Sequence, residues 1–314
     1  MDISVFTNKF GPNKIEKDKD LFPYLTLRTH VIAPYFFEAE TKGELVSVLT
    51  MCLRENVPYI LIGGGSNTAI ITKEIRGLTI KNSYSELKLI HEEKTYVELS
   101  ISSGYSVSLL VSETVEKGWG GFEYHKGLPG TMGGGVYMNS KWTRPLSYIG
   151  DRLISAQILD KKGRLKLVER DYFQFGYDFS TLQKTGEIFI DGIFRLEKTD
   201  PNILKRRADE SLSYRKKTQP FGVATCGCFF QNISKADQLR LDLPTTSVGY
   251  LIDKAGMKNL KIGAFSVSNL HANFILHSAR GDGKTQDLLQ LISEIKRKVK
   301  ERFGVTLIEE VVVI

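Results

Sequence analysis

Cysteine is scarce in this 314-residue sequence, and long hydrophobic runs are absent from it. Three cysteines cannot all pair, and so few argue against the disulfide framework typical of small secreted proteins. No apolar stretch approaches the ~18 residues that a membrane-spanning helix needs. The opening residues, MDISVFTNKFGPNK, lack the charged-then-apolar layout of a secretory signal. We therefore expect a reduced, cytoplasmic protein with no membrane partner.

Acidic residues are outnumbered by basic ones, and the formal net charge is +7. A positive balance suits nucleic acid or phosphorylated small molecules as partners, and it is equally consistent with a solvated basic surface. The largest basic cluster, KRKVKER at residues 296–302, falls on the polar face of a predicted helix. Because no aromatic residues interrupt it to stack on bases, the sequence argues against a nucleic-acid partner.

Hydrophobic periodicity predicts helices and strands in alternation over the first part of the chain. The capping-box pattern from Thr41 to Glu44 opens a helix whose apolar face includes Cys52. The buried strand YILI follows at residues 59–62, and residues 152–169 predict a hairpin. Cys52 is therefore expected to be a small core residue.

A change of composition near residue 201 predicts a domain boundary, because Pro201 opens a strongly charged helix there. Later in the chain, an amphipathic helix ends at Gly304 and the terminal TLIEEVVVI predicts a strand. The first 20 residues are polar and predict a loosely held tail.

Two glycine-rich loops, GGGSN at residues 63–67 and GLPGTMGGG at residues 127–135, each lie beside a predicted strand. Glycine lets a ligand approach the backbone closely, and convergent amides form an anion nest. One such loop could be an ordinary turn, but two favour a dinucleotide with its pyrophosphate held between them. The candidate cofactor-binding residues are Gly63, Gly64, Gly65, Ser66, Asn67, Gly127, Pro129, Gly130, Thr131, Gly133 and Gly134.

Two other nucleotide motifs are only partly matched. The Rossmann pattern G-x-G-x-x-G fails because position 68 is threonine. SARGDGKTQ resembles a P-loop through Gly283, Lys284 and Thr285, but Ser278 stands where the first glycine belongs. A polar turn leading into a helix is the favoured interpretation of this segment.

The segment VATCGCFFQN holds Cys226 and Cys228 one residue apart. A metal site needs about four ligands, and these two thiols have no obvious histidine pair beside them, so no metal is expected. A disulfide between them would be strained and out of place in a reducing compartment.

Six motifs occur in one order: GGGSN, GLPGTMGGGVYMN, YRKKTQP, GCFFQN, AGMKNLKIGAFSVSNLHANFIL and FGVTLIEEV. In this order and spacing the sequence resembles the UDP-N-acetylenolpyruvoylglucosamine reductase (UDP-N-acetylmuramate dehydrogenase) family over roughly residues 25–314. The lack of an extra insertion makes it similar to the shorter, type II-like subtype.

The resemblance implies an α+β fold: a two-subdomain FAD-binding fold of the vanillyl-alcohol-oxidase (PCMH) type, followed by a C-terminal α/β substrate-binding domain. We expect the tail at residues 1–20 and the FAD-binding domain at 21–200, with subdomains at about 21–85 and 86–200. The substrate-binding domain is expected at 201–314, its last strand returning toward the active site.

The resemblance also implies a reaction in peptidoglycan precursor synthesis, and through it in cell-wall biogenesis, cell shape and cell division. NADPH reduces FAD, and the flavin gives hydride to the enolpyruvyl ether of UDP-N-acetylglucosamine enolpyruvate while an acid protonates the adjacent carbon. The product is UDP-N-acetylmuramate. The implied partner is thus a small-molecule UDP-sugar, and we expect a monomer.

The family carries a serine as proton donor where this sequence has Cys228. An ordinary thiol, with a pKa of about 8.5, is mostly protonated at neutral pH and is a stronger acid than a hydroxyl, so it can fill this role. An inert thiol is the alternative. The second catalytic group implied by the resemblance is Glu310, rather than Glu309, which alternation along a strand directs to the other face. The implied substrate-binding residues are Tyr177, Arg215, Gln219 and Asn232.

One departure from the family bears on the chemistry. The family motif YRDS places an arginine where FGYDFS has Asp178, and an acid cannot stabilise negative charge as a guanidinium does. The alternative is therefore a divergent FAD-binding member with a changed substrate or lost activity. We hypothesise that Lys141 or Arg144, in the altered loop NSKWTRP, replaces the missing cation, although both could be ordinary surface charges.

Overall fold

The computed structural model describes residues 3–72, 74–278 and 283–314. Its α-helices are α1 (Ser4–Phe10), α2 (Lys42–Arg54), α3 (Val107–Glu116), α4 (Met132–Met138), α5 (Leu182–Thr185), α6 (Pro201–Thr218), α7 (Lys235–Arg240), α8 (Val248–Lys254) and α9 (Thr285–Phe303). Its β-strands are β1 (Ile15–Asp20), β2 (Ile32–Ala39), β3 (Tyr59–Ile62), β4 (Thr68–Ala69), β5 (Leu78–Asn82), β6 (Leu87–Glu92), β7 (Tyr96–Ser102), β8 (Trp119–Gly120), β9 (Lys141–Thr143), β10 (Leu146–Tyr148), β11 (Leu153–Leu159), β12 (Leu165–Glu169), β13 (Ile188–Lys198), β14 (Lys261–Ile262), β15 (Phe265–Val267), β16 (Ile275–His277) and β17 (Val312–Val313).

The chain divides into two compact units. Unit 1 consists of Met1–Lys19, Ala33–Gly64 and Arg76–Tyr214, and unit 2 consists of Asp20–Ile32, Gly65–Ile75 and Arg215–Ile314.

Unit 1 contains two sheets. The first has the strand order β1-β2-β5-β3, in which β5 runs parallel to both β2 and β3. Helix α2 covers it with the face predicted from periodicity, and burial of Cys52 in that face is confirmed. Thr41 accepts a hydrogen bond from the Glu44 amide and so begins α2 where the capping box predicted. The strand YILI, now β3, ends directly at the first glycine turn.

The second sheet of unit 1 has the order β12-β11-β13-β7-β6, with β8 added beside β13, and its strands pair antiparallel. The predicted hairpin forms β11 and β12. Helices α3 and α4 contribute buried residues to the core of this sheet, so α4 is held by packing despite its glycines. The second glycine loop, predicted at residues 127–135, is therefore partly helical, because residues 132–135 form the start of α4.

Unit 2 is built around α8, α9 and a small antiparallel sheet, β14-β15-β16. Helix α9 buries Leu288, Leu291, Ile292, Ile295 and Val299 of its predicted face, whereas Phe303, predicted on the same face, is only half-buried. The helix ends at Gly304, whose φ is +69°. Strand β17 pairs parallel with β4, which brings the end of the chain against the segment that follows the first glycine turn. This pairing positions the terminal LIEEV motif.

Two segments differ from the sequence-based expectation. Within residues 1–20, expected as a loose tail, the described residues form α1 and β1, because Phe6 and Ile15 are apolar enough to enter the core. The terminal strand is shorter than TLIEEVVVI predicted: only Val312–Val313 is regular. None of the helices in the part of the chain that the structure describes is long and apolar enough to cross a membrane.

Candidate active site

The two glycine turns of unit 1 meet backbone to backbone. A Cβ added at Gly64 would lie 2.5 Å from the Cα of Gly130, and one added at Gly63 would lie 2.5 Å from Oγ1 of Thr131. Real side chains do not tolerate such distances, so glycine is required here by contact. Residues of the two loops that the sequence singled out separately are therefore adjacent in space.

The second loop also needs glycine for its backbone path. Gly127 and Gly130 have φ values of +80° and +105°, which side-chain-bearing residues rarely adopt. Past Thr131 the chain enters α4, where a Cβ at Gly133 would lie 3.0 Å from Ser103, whereas Gly134 is open. Pro129 is exposed beside the turn. The result is a cradle of bare backbone, the surface that a dinucleotide pyrophosphate requires for close approach.

The rest of the first loop belongs to unit 2. Gly65 has φ +60°, and a Cβ there would lie 2.0 Å from the carbonyl oxygen of Tyr24. Ser66 and Asn67 follow it, and Asn67 Nδ2 donates a hydrogen bond to the carbonyl oxygen of Glu310 at 3.2 Å. The first loop is thus bonded to the C-terminal motif.

Backbone contacts join the segment that carries Cys228 to the segment that carries Glu310. The Glu310 amide donates to the carbonyl oxygen of Phe229 at 2.9 Å, and the residue after Phe229, Phe230, forms a bridge with Glu309. Gly227, with φ +89°, leads into Cys228, and a Cβ on this glycine would lie 4.0 Å from the Ser66 carbonyl oxygen. Residues 65–67 of the first loop therefore converge with the GCFF and LIEEV motifs within unit 2.

The three thiols differ in environment. Cys52 and Cys226 are buried, and burial raises the pKa of both thiols to about 12. Cys228 is only half-buried. Cys226 is therefore suited to packing, whereas Cys228 is partly accessible.

The two adjacent glutamates also differ. Glu309 Oε1 lies 2.5 Å from Nζ of Lys296 on α9, so its carboxylate is committed to a surface ion pair. Glu310 hydrogen-bonds through its backbone to both Phe229 and Asn67. Both glutamates lie outside the regular strand Val312–Val313, so the choice of Glu310 by strand alternation stays a prediction.

Arg215 and Gln219 lie one helical turn apart, and Arg215 Nη1 donates to Gln219 Oε1 at 3.1 Å. Arg215 is 8% exposed. Burial lowers the pKa of Arg215 to about 10, while electrostatic interaction with Cys228 acts in the opposite direction, so the guanidinium stays charged at neutral pH and lies near Cys228. Asn232 accepts a hydrogen bond from the Val248 amide at the start of α8, which gives it a structural contact.

Asp178 and Tyr177 are in unit 1, and the side chains of both residues contact Lys141. Lys141 Nζ lies 2.5 Å from Asp178 Oδ1 and 3.8 Å from the centroid of the Tyr177 ring. Arg144 is exposed instead and stacks on Tyr214, 4.9 Å from the ring centroid. The sequence suggested Lys141 or Arg144 as a replacement for the cation missing at position 178, but it did not predict the ion pair between Lys141 and Asp178; the opposite charges of these two residues were the available signal.

The P-loop-like segment is only partly described, since residues 279–282 lie outside the described residues. After them, the Gly283 amide donates to His277 Nε2 at 3.0 Å, and Thr285 begins α9. The helix predicted after this segment is confirmed as α9, whereas the predicted turn lies outside the described residues.

Comparison with known proteins first defines the class. A family model described as FAD binding domain matches residues 33–168, which include both glycine turns. The protein is thus an FAD-dependent oxidoreductase, and the predicted α+β, FAD-binding fold with a C-terminal domain is confirmed. A second model, described as UDP-N-acetylenolpyruvoylglucosamine reductase, C-terminal domain, matches residues 219–314, which include Cys228 and Glu310.

The relatives then identify the family. UDP-N-acetylenolpyruvoylglucosamine reductase of Protochlamydia amoebophila is 33% identical over 89% of this chain and 87% of its own length. The protein of that name from Bacillus subtilis is 30% identical over 85% of this chain and 83% of its own. The crystal structure of the Thermus caldophilus reductase superposes with a TM-score of 0.76 at 26% identity, covering 95% of this chain and 98% of that one. The chain belongs to the UDP-N-acetylenolpyruvoylglucosamine reductase family.

Proposed function

We propose that this protein reduces UDP-N-acetylglucosamine enolpyruvate to UDP-N-acetylmuramate with FAD and NADPH, and that Cys228 gives the proton. The family assignment supports this activity over a changed or lost one. One observation supports the site most strongly: the Glu310 amide donates to the Phe229 carbonyl oxygen at 2.9 Å, joining the thiol segment to a glutamate 81 positions later in the sequence. A UDP-sugar is accordingly the proposed partner.

The glycine cradle would hold the cofactor. Gly63, Gly64 and Gly130 have no side chain to keep a pyrophosphate away, and we assign their backbone amides and that of Thr131 to its binding. We assign the remaining cofactor contacts to the rest of the two loops: Gly65, Ser66, Asn67, Gly127, Pro129, Gly133 and Gly134. When bound, FAD supplies hydride transfer from NADPH to the terminal carbon of the enolpyruvyl group.

Cys228 completes the reduction by acid catalysis. Its Sγ–H bond breaks, the proton goes to the carbon adjacent to the reduced one, and the resulting lactyl ether leaves; solvent then reprotonates the thiolate. A positioned acid of this kind contributes about 10²- to 10⁴-fold to rate. Glu310, fixed through its backbone to the same segment, is assigned to stabilising the enol form of the substrate during proton transfer.

Arg215 supplies charge for the diphosphate. A guanidinium presents planar donors suited to phosphate oxygens, and here Gln219 orients it by accepting one hydrogen bond. Tyr177 and Asn232 are assigned to contacts with the nucleotide or sugar. We further propose that the protein acts as a monomer in the cytoplasm, where free thiols such as its three cysteines persist.

The function is tested by following flavin absorbance without oxygen. NADPH should bleach the yellow protein, and UDP-N-acetylglucosamine enolpyruvate should restore the colour with formation of UDP-N-acetylmuramate. Glu310→Gln should slow recolouring while bleaching is unchanged, and Glu309→Gln, at the surface ion pair with Lys296, serves as the matched control. A bleached wild-type protein that this substrate fails to recolour would overturn the proposed activity.

A further inference from the structure

The residue pair Lys141–Asp178 is more buried than an ordinary surface ion pair. The side chains are 16% and 5% exposed, and Nζ lies 2.5 Å from Oδ1. Burying two charges costs more desolvation energy than their attraction returns unless hydrogen bonds satisfy the remaining polar atoms. Among residues 3–72, 74–278 and 283–314, nothing hydrogen-bonds to Asp178 Oδ2. Stability alone therefore does not account for this pair.

The turn that carries Asp178 is held rigidly. Gly176 and Phe179 exchange backbone hydrogen bonds, and Asp178 has a φ of +49° between them. Gln183 Nε2 donates to the Asp178 carbonyl oxygen at 2.9 Å, and Asn139 Nδ2 donates to the Gly176 carbonyl oxygen at 2.9 Å. The aspartate is thus fixed against the C-terminal end of α4.

Lys141 lies just after the C-terminal end of the same helix, α4. It begins β9, two residues after Asn139, the left-handed residue that ends α4. Its ammonium is located by the Asp178 carboxylate and by the Tyr177 ring, whose centroid is 3.8 Å away. Helix α4 begins at the second glycine turn, and its seven residues span only about 10 Å. The charge therefore follows the end of this short helix that is opposite to the turn assigned to the flavin.

The proposed reaction creates a need for such a charge. The enolpyruvyl group carries a carboxylate, and hydride addition to its terminal carbon puts a developing negative charge on the neighbouring carbon, shared with that carboxylate. A preorganised cation is the efficient way to stabilise such a charge. Arg144, the other cation of this loop, is exposed and stacked on Tyr214, so it is not placed for the task.

We propose that Lys141 contacts the substrate carboxylate as a catalytic cation and that Asp178 is the residue that positions it. This inference rests on the proposed function. On this proposal an aspartate at position 178 holds Lys141 in place, whereas a cation at position 178 would repel it.

The test compares five variants of the holoenzyme in single turnover: Lys141→Met, Lys141→Arg, Asp178→Asn, the double variant Lys141→Met/Asp178→Asn, and Lys184→Met. Lys184 is a matched control because it too lies over an aromatic ring, that of Phe179 at 4.9 Å, but is exposed. Lys141→Met should slow flavin reoxidation by the substrate about 10²- to 10³-fold, the typical loss for one oxyanion-stabilising group. Reduction by NADPH should be unchanged, Lys141→Arg should recover part of the rate, and Lys184→Met should react as wild type.

The double variant separates catalysis from stability. It removes both charges, so no buried charge is left unpaired and thermal stability should recover relative to either single variant. If the lysine acts on the substrate, reoxidation stays slow in this stable protein; recovery of the rate together with the stability would show a purely structural pair and overturn the inference. Failure of the wild type to be reoxidised would instead count against the proposed function, so the two failures are distinguishable.

Discussion

Gly64→Ala is a direct test of the glycine cradle. The added Cβ would lie 2.5 Å from Cα, 3.2 Å from C and 3.3 Å from N of Gly130. These are backbone atoms and cannot rotate away. Ordinary carbon contacts are about 3.5–4.0 Å, so the two turns must separate by about 1 Å. Because Gly64 does not have a left-handed φ, the effect comes from this contact alone.

The magnitude follows from overpacking, which typically costs about 1–3 kcal/mol. If this cost falls on the FAD-bound state, where the turns must close on the pyrophosphate, affinity for FAD should fall about 5- to 150-fold, since a tenfold change corresponds to about 1.4 kcal/mol. Titration of apoprotein with FAD, followed by flavin fluorescence, measures this directly. Thermal unfolding of the apoprotein reports any loss of fold separately.

Gly43→Ala is the matched control. A Cβ at Gly43, in α2, would have its nearest neighbour at 4.0 Å, so affinity for FAD should be unchanged and helix stability should rise by about 0.5–1 kcal/mol. Wild-type FAD affinity in a folded Gly64→Ala protein would refute the argument that the two turns bracket the cofactor.

Two further results are expected. A thiol reagent at neutral pH should modify Cys228 rapidly and leave Cys52 and Cys226 unmodified until unfolding, because burial raises the pKa of the latter two to about 12; equal rates at all three would contradict this. In the β11–β12 turn, hydrogen bonds from Arg164 hold the pKa of Asp160 well below its usual range. Its contribution to stability is present above pH ~4 and is lost as pH falls below that. Asp160→Asn should therefore lower the unfolding temperature at pH 7, with the difference narrowing toward pH 3; a pH-independent difference would count against this reasoning.

Local structure could be predicted from the sequence because local patterns determine it. The buried faces of α2 and α9 follow from helical spacing, and the end of α9 follows from Gly304. The N-terminal segment was misjudged because Phe6 and Ile15 are isolated apolar residues in a polar stretch, and such residues give no periodicity. Burial of isolated residues depends on tertiary packing, which a local pattern does not contain.

The contacts that define the candidate site were less predictable. The sequence identified the loops containing Gly64 and Gly130 but not their contact, which forms only in the tertiary structure. Lys141 and Asp178 are 37 residues apart, and their pairing requires the turn after β12 to fold back on the end of α4. The residue types indicated what kind of contact each side chain could make, but only the tertiary structure showed that Gly64 meets Gly130 and that Lys141 pairs with Asp178.

The most direct measurement is single-turnover reoxidation of the NADPH-reduced flavin by UDP-N-acetylglucosamine enolpyruvate in Cys228→Ala, Cys228→Ser and Cys226→Ala proteins. We expect Cys228→Ala to lose about 10²- to 10⁴-fold in rate, Cys228→Ser to retain more activity because a hydroxyl can still donate a proton, and Cys226→Ala to react like wild type. Wild-type rates in a folded, flavin-loaded Cys228→Ala protein would contradict the assignment of the thiol as proton donor.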